Sequence, residues 1–202
     1  MILRRLFEGR QSGFYVDVGA HHPRRFSNTY HFYRMGWLGI NIDAMPGSMS
    51  LFRRLRGRDI NLEIAVGKEK ELLSFYCFNE PALNTFERDL AMARNRGPHK
   101  IVREELLQTN PLKEILARYL PSGQMIDFLS VDVEGRDLDV LRSNDWKRFR
   151  ARVVMAESTG ESLETVKENE IYKYMQQQHY RLWAKTANTL LLMDGDWNGL
   201  AV

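Results

Sequence analysis

The densest candidate chemistry in the chain lies between Met125 and Leu141, which reads Met-Ile-Asp-Phe-Leu-Ser-Val-Asp-Val-Glu-Gly-Arg-Asp-Leu-Asp-Val-Leu. An apolar run (Ile126, Phe128, Leu129, Val131, Val133) ends in two carboxylates, Asp132 and Glu134, and then Gly135. An amphipathic pattern resumes after the glycine, so the segment reads as a buried strand, a tight turn and a helix. In open α/β sheets, ligands sit beyond the carboxyl ends of the strands. Asp132 and Glu134 are therefore candidates for proton transfer on a bound molecule. Glu157 closes a later apolar run, Arg152 to Ala156, and is a candidate substrate contact. Hard oxygen donors also suit magnesium, so a divalent metal on Asp132, Glu134 and Glu157 is an alternative use of the same side chains. Structural roles compete as well: Asp132 as an acceptor shaping its loop, Glu134 as a partner of Arg136 or a helix cap.

A second constellation lies near the start. Phe14-Tyr15-Val16-Asp17-Val18 reads as a strand running into Gly19-Ala20-His21-His22-Pro23. Gly19 would let a ligand approach the backbone with no Cβ in the way, or simply make a turn. Ser27 is a plausible cap for a helix over Asn28 to Met35, and free amides around Asn28 and Thr29 suit a carboxylate or phosphate. Asp43 ends the next strand, Trp37 to Ile42, where a carboxylate can accept both hydroxyls of a ribose; capping before Pro46 is the competing role. His21 is a candidate base or hydrogen-bond donor beside this loop.

The elements that must position these groups alternate. After the first two strands, Pro46 opens a helix to about Arg56. Ile60 to Val66 is the third strand, with Leu72 to Phe78 expected to fold back on it as an antiparallel hairpin. Residues 79–124 interrupt the alternation and read as an inserted, substrate-side segment of a single domain spanning residues 1–202. In it, Asn84-Thr85-Phe86-Glu87 has the form of a capping box, Arg94 to His99 reads as a loop, and Arg103 to Tyr119 as a helix. Asn84 and Thr85 are candidate substrate contacts with helix capping as the alternative. Beyond the acidic strand, Arg152 to Ala156 is a fifth strand and Glu161 to Gln178 a long helix. Tyr180 to Lys185 and Asn188 to Met193 form a closing hairpin. This alternation predicts an α/β fold on a mostly parallel sheet.

The 202 residues suffice for one sizeable core. Net charge is only +3, with no basic block long enough for a nucleic-acid arm. Arg53, Arg54, Arg56 and Arg58 read as a solvated helix face or an anion contact. Cys77 is the single cysteine, so no internal disulfide forms. No apolar run is long enough to span a membrane, and the first residues lack a signal peptide's pattern. The expectation is a cytoplasmic protein without stable membrane insertion. Ile2, Leu3, Leu6 and Phe7 lie on one side of a short amphipathic helix that packs on the domain or meets a membrane or partner.

Four segments, in this order and spacing, resemble the FkbM family of methyltransferases: Phe14 to Pro23, Ser27-Asn28-Thr29, Gly36 to Pro46, and Val131 to Gly135. The resemblance runs from about Gly13 to Met193. It implies a Rossmann-like class I methyltransferase fold with a C-terminal antiparallel hairpin, and S-adenosyl-L-methionine as cofactor. By the same resemblance, Asp17, Gly19 and Ala20 lie beside the methionine part, Asp43 at the ribose, and Ala65 and Val66 near the adenine. Gly19 alone remains of the usual glycine-rich loop, with His21 and Pro23 in later positions. The implied reaction is O-methylation of a small-molecule or glycan acceptor: a sugar, glycan or secondary metabolite. A nicotinamide-dependent oxidoreductase is the alternative enzyme, disfavoured by the missing glycines and the terminal hairpin. A non-catalytic binding module of the same fold is the other alternative.

Overall fold

Strands that are apolar on both faces must be covered on both faces, and this chain does so with helices. The computed structural model describes residues 2–158, 160 and 162–197. In chain order the elements are α1 (Ile2–Leu6), β1 (Phe14–Val18), α2 (Tyr30–Arg34), β2 (Leu38–Asp43), α3 (Met49–Leu55), β3 (Ile60–Glu63), β4 (Ala65–Val66) and β5 (Leu72–Phe78). A 3-10 turn at Pro81–Leu83 precedes α4 (Arg88–Arg94), β6 (Ile101–Asn110), α5 (Leu112–Tyr119), β7 (Ile126–Val131), α6 (Asp137–Arg142) and β8 (Ala151–Glu157). A second 3-10 turn at Val166–Glu168 leads to α7 (Glu170–Gln177), β9 (Tyr180–Lys185) and β10 (Thr189–Asp194).

Seven strands form the main sheet in the order β3-β2-β1-β7-β8-β10-β9. The first five run parallel. β10 is antiparallel to both β8 and β9, which gives the Rossmann-like methyltransferase arrangement with its terminal hairpin. Alternate residues feed two cores. Val16, Leu129, Val154 and Leu192 pack against Leu116, Leu141 and Met175 of the helices α5, α6 and α7. Tyr15, Phe128, Val153 and Leu191 pack on the other face with Leu3, Leu6 and Phe7 of the N-terminal segment, and with Phe32 and Trp37. The N-terminal helix therefore packs on the domain. Among the described residues, no helix is long and apolar enough to cross a membrane.

The interruption differs from the sequence expectation. Ile60 to Val66 is two strands, and β5 pairs with β6 rather than folding back on β3. β4 joins β6 in a separate three-stranded sheet. The helix expected over Arg103 to Tyr119 is strand in its first half and helix in its second, because Pro111 divides it. Proline disfavours helical backbone at the residue before it and is well placed to begin a helix. Pro111 thus ends β6 and opens α5. The long helix expected from Glu161 is α7 alone, started by Asn169, whose side chain accepts from the Tyr172 amide; Glu161 lies outside the described residues. Pro46 likewise falls in a turn, and α3 begins at Met49.

Arg56 is also placed differently. It is fully buried, with no exposed area, rather than on a solvated face. Its Nε donates to Asp59 Oδ2 at 3.0 Å, Nη1 to the Pro23 carbonyl at 3.0 Å, and Nη2 to Tyr15 Oη at 2.6 Å and Thr29 Oγ1 at 3.1 Å. Tyr15 donates to Asp59 in turn at 2.7 Å, and Thr29 Oγ1 donates to Asp17 Oδ2 at 2.9 Å. One guanidinium thereby ties β1, the loop after it, the start of α2 and the turn after α3. Arg53, Arg54 and Arg58 are exposed, as a solvated face requires.

A second constraint is steric. Gly19 has φ +81°, and a Cβ there would stand 1.7 Å from the Asp132 carbonyl oxygen. The Asp132 amide donates to the Val18 carbonyl at 3.0 Å. The ends of β1 and β7 therefore meet backbone to backbone. Gly19 is needed for this crossing, a reason different from the ligand approach read in the sequence.

Arg56→Met removes the cation that pairs with the buried Asp59 side chain. We expect a loss of roughly 3–5 kcal/mol in urea unfolding; a loss under 1 kcal/mol would mean the network is not structural. Gly19→Ala must push β1 and β7 apart and strain a positive φ. An unfolding loss of about 3 kcal/mol or more is expected, and an unchanged midpoint would show that the two strand ends do not meet as described.

Candidate active site

The strand order reverses direction between β1 and β7, and a pocket opens at their carboxyl ends, where ligands bind in such sheets. It holds about 270 Å³. Its floor comes from β1, β2 and β7 and the turns after them, through Asp17, Gly19, Asp43, Asp132 and Glu134. Its roof comes from the interrupting segment, through Pro81, Asn84 and Phe86, with Phe75 of β5 beside them. Residues 80–94 are fastened across the pocket at several points. Arg25 pairs with Glu80 at 3.1 Å, Asn84 Nδ2 reaches Met45 Sδ at 3.4 Å, Thr85 Oγ1 donates to the Glu134 carbonyl at 2.7 Å, and Arg94 pairs with Glu134 at 2.5 Å.

The β1 side is a polar cradle. Asp17 is buried and takes the Thr29 hydroxyl; burial pushes its carboxyl up to about 6 against that hydrogen bond and the nearby Arg56 charge. Asn28 lines the pocket and donates to Ser130 Oγ at 3.2 Å. α2 starts at Tyr30 with Thr29, not Ser27, at its N-cap position, and the Ser27 Oγ accepts from the Tyr30 amide at 3.0 Å. Asp43 accepts one backbone amide on each oxygen, from His21 and Met45, both at 2.8 Å. Burial raises its carboxyl despite those two bonds. Each carboxylate oxygen keeps a further lone pair for a ligand hydroxyl. His21 has φ +51° and lies with Asp43; its buried Nε2 has no partner among the described residues.

The β7 side is acidic. Donor oxygens of Asp132, Glu134 and Glu157 all lie within 4.8 Å of one another. Asp132 opens onto the pocket but is walled by protein. Desolvation, then repulsion from Glu157, Glu134 and Asp17, pushes its carboxyl up to about 7, with Arg94 opposing. Glu157 is raised by burial and by Glu134. Asp137, buried behind them and accepting from the Glu157 amide at 3.3 Å, is raised well above the usual range by burial, then Asp132 and Glu157. Glu134 sits at φ +55° beside Gly135 at φ +109°, the tight turn read from the sequence. Its salt bridge goes to Arg94, whereas Arg136 pairs with Glu87 at 2.9 Å.

The pocket brings together most of the residues singled out in the sequence: Asp17, Gly19, Ala20, His21, Asn28, Asp43, Val66, Asn84, Asp132 and Glu134. Four do not line it. Thr29 stands fully buried behind the wall as a support for Asp17. Ala65 is buried, with Ile64 and Val66 forming that wall instead. Thr85 holds the Glu134 turn and accepts from the Glu87 amide. Glu157 faces a neighbouring cavity of about 420 Å³ shared with Asp137 and Ser158. The capping box does not form: Asn84 Oδ1 accepts from the Phe78 amide, and α4 starts at Arg88. Phe26, Met45, Phe75, Phe86 and Arg94 were not singled out in the sequence, because contributions from separate segments carry no local spacing.

Comparison with known proteins agrees with this architecture. The family profile described as "Methyltransferase FkbM domain" matches residues 17–182. No curated protein sequence matches the chain. A solved structure described as methyltransferase FkbM from Methylobacillus flagellatus KT superposes with a TM-score of 0.56 at 12% identity. The superposition covers 90% of this chain and 44% of that one, so the chain spans less than half of that protein. At that identity the likeness concerns the fold. The profile covers the strand ends and the roof segment and stops at the start of the terminal hairpin, and on that match the chain belongs to the FkbM methyltransferase family.

Proposed function

We propose that the protein is an S-adenosyl-L-methionine-dependent O-methyltransferase acting on a hydroxyl of a sugar, glycan or secondary metabolite. The observation that carries this reading is the single pocket joining Asp43 at the end of β2 to Asp132 at the end of β7, with Asp17 between them. The residues present fit the cofactor. Asp43 retains lone pairs for a ribose diol, and the orphaned His21 Nε2 offers a further polar contact on the same side. Ile64 and Val66 give an apolar wall for a base. The buried Asp17 suits a cationic methionine part.

When bound, the cofactor supplies an electrophilic methyl carbon on a sulfonium. Asp132 accepts the proton of the acceptor hydroxyl; its raised carboxyl suits exchange near neutrality. Glu134, held at one oxygen by Arg94, orients the acceptor. The roof segment excludes water and fixes the approach line, from which much of the rate is drawn. Asn84 faces the acceptor from the roof. Arg94 already supplies a cation to the acidic cluster, which favours a metal-free base over a magnesium site.

Two outcomes test the reading. Asp17 is held up near 6, so it carries a proton below that pH and its charge above it. Cofactor affinity should therefore tighten as pH rises from 5 to 7, by about tenfold per unit below the midpoint, and Asp17→Asn should flatten the profile; calorimetry checks both, and an unchanged profile would remove Asp17 from the site. Asp132→Asn should bind S-adenosylhomocysteine normally yet turn over about 10²–10⁴-fold more slowly across a panel of glycosides and hydroxylated metabolites. Turnover of the unmodified enzyme should survive EDTA. Loss of activity with chelator and recovery with magnesium would instead assign the three carboxylates to a metal.

A further inference from the structure

Phe26 is the most exposed of the large hydrophobic side chains described, at 75%. It lines the pocket all the same. Its backbone has φ +57°, a conformation that a bulky side chain adopts only when the surroundings impose it. Such strain is retained where it serves a site. Nothing in the core explains it: the ring belongs to neither of the two cores that flank the sheet.

The surroundings hold the ring in place. His22 Nδ1 accepts from the amides of Arg24 and Arg25, at 3.0 and 2.8 Å, which winds the loop tightly before Phe26. The Arg25 guanidinium lies 4.7 Å from the ring centroid and reaches across to Glu80 on the roof. His21 runs nearly parallel to the ring, at 19° and 6.5 Å. The mouth of the pocket thus presents a largely exposed aromatic ring with the Arg25 guanidinium over it, itself paired with Glu80. A cofactor group would need to be enclosed, as Asp17 and Asp43 are; a ring this exposed meets only what enters from outside.

We infer that Phe26 is a specificity-determining residue that stacks on the apolar face of a saturated, hydroxylated ring in the acceptor, a pyranose, while Arg25 and Glu80 bind the hydroxyls at its edge. An aromatic face against C–H groups with a few polar contacts at the rim suits such a ring better than a flat aromatic or an alkyl chain. The inference rests on the methyltransferase reading of the pocket and adds the acceptor's chemical class.

The test uses the full chain loaded with S-adenosylhomocysteine, with methyl glucoside, methyl rhamnoside and methyl fucoside as probes in saturation-transfer NMR. Ring C–H signals should appear for at least one glycoside with the natural protein, fall at least fivefold in Phe26→Ala and persist in Phe26→Trp. Affinity for S-adenosylhomocysteine should stay within twofold in every variant. Phe26→Gly should lose the glycoside signal and unfold at the same or a higher temperature, because glycine relieves the positive φ. A tenfold loss of S-adenosylhomocysteine affinity in Phe26→Ala would make Phe26 a cofactor residue. Equal glycoside signals in the natural protein and Phe26→Ala, no signal with a natural protein that binds S-adenosylhomocysteine, or a lower unfolding temperature in Phe26→Gly would each overturn the inference. Failure of the natural protein to bind S-adenosylhomocysteine would overturn the methyltransferase reading of the pocket first, and this inference with it.

Discussion

A guanidinium with no exposed area holds the site's scaffold together. Arg56 reaches Asp59, Tyr15, Thr29 and the Pro23 carbonyl, and through Thr29 it fixes Asp17. A charge in such a place is tolerated only with a full set of partners. The ones it has come from β1, the loop that follows, α2 and the turn before β3. Their mutual dependence converts a glycine-poor loop into a defined surface. Families with several glycines shape such a loop by backbone freedom; this chain shapes it from behind, with side chains.

In front of that scaffold the pocket has two electrostatic halves. Asp43 accepts a backbone amide on each oxygen, from His21 and Met45. Asp132, Glu134 and Glu157 crowd one another, with Arg94 as the countercharge. The crossing of Gly19 under the Asp132 carbonyl sets the distance between these halves. Arg94 and Thr85 belong to the roof, and both bond Glu134. The part of the chain that covers the pocket therefore also orients an acidic group that lines it.

The parallel strands and the closing hairpin were legible because apolar runs at strand spacing are local signals, as at Phe14 to Val18 and Ile126 to Val131. Carboxylates at strand ends could be placed for the same reason. The roof was not, since β5 and β6 pair across 23 or more residues and charged positions on β6 imitate a helix; Pro111 was the local warning. Arg56 was misread because its environment is built from four distant segments, and a lone arginine among arginines gives no periodic sign of burial. Phe26 escaped notice on similar grounds: its importance lies in exposure and backbone strain, and neither is written in residue type.

The central claim is that one pocket seats the cofactor's ribose at Asp43 and its reactive sulfur toward Asp132. Crystals grown with S-adenosylhomocysteine test this most directly. The account predicts ligand density between β1, β2 and β7, with both ribose hydroxyls within hydrogen-bonding distance of the Asp43 carboxylate and the sulfur on the Asp132 side. Density for the ligand elsewhere, or a ribose that does not meet Asp43, would contradict it.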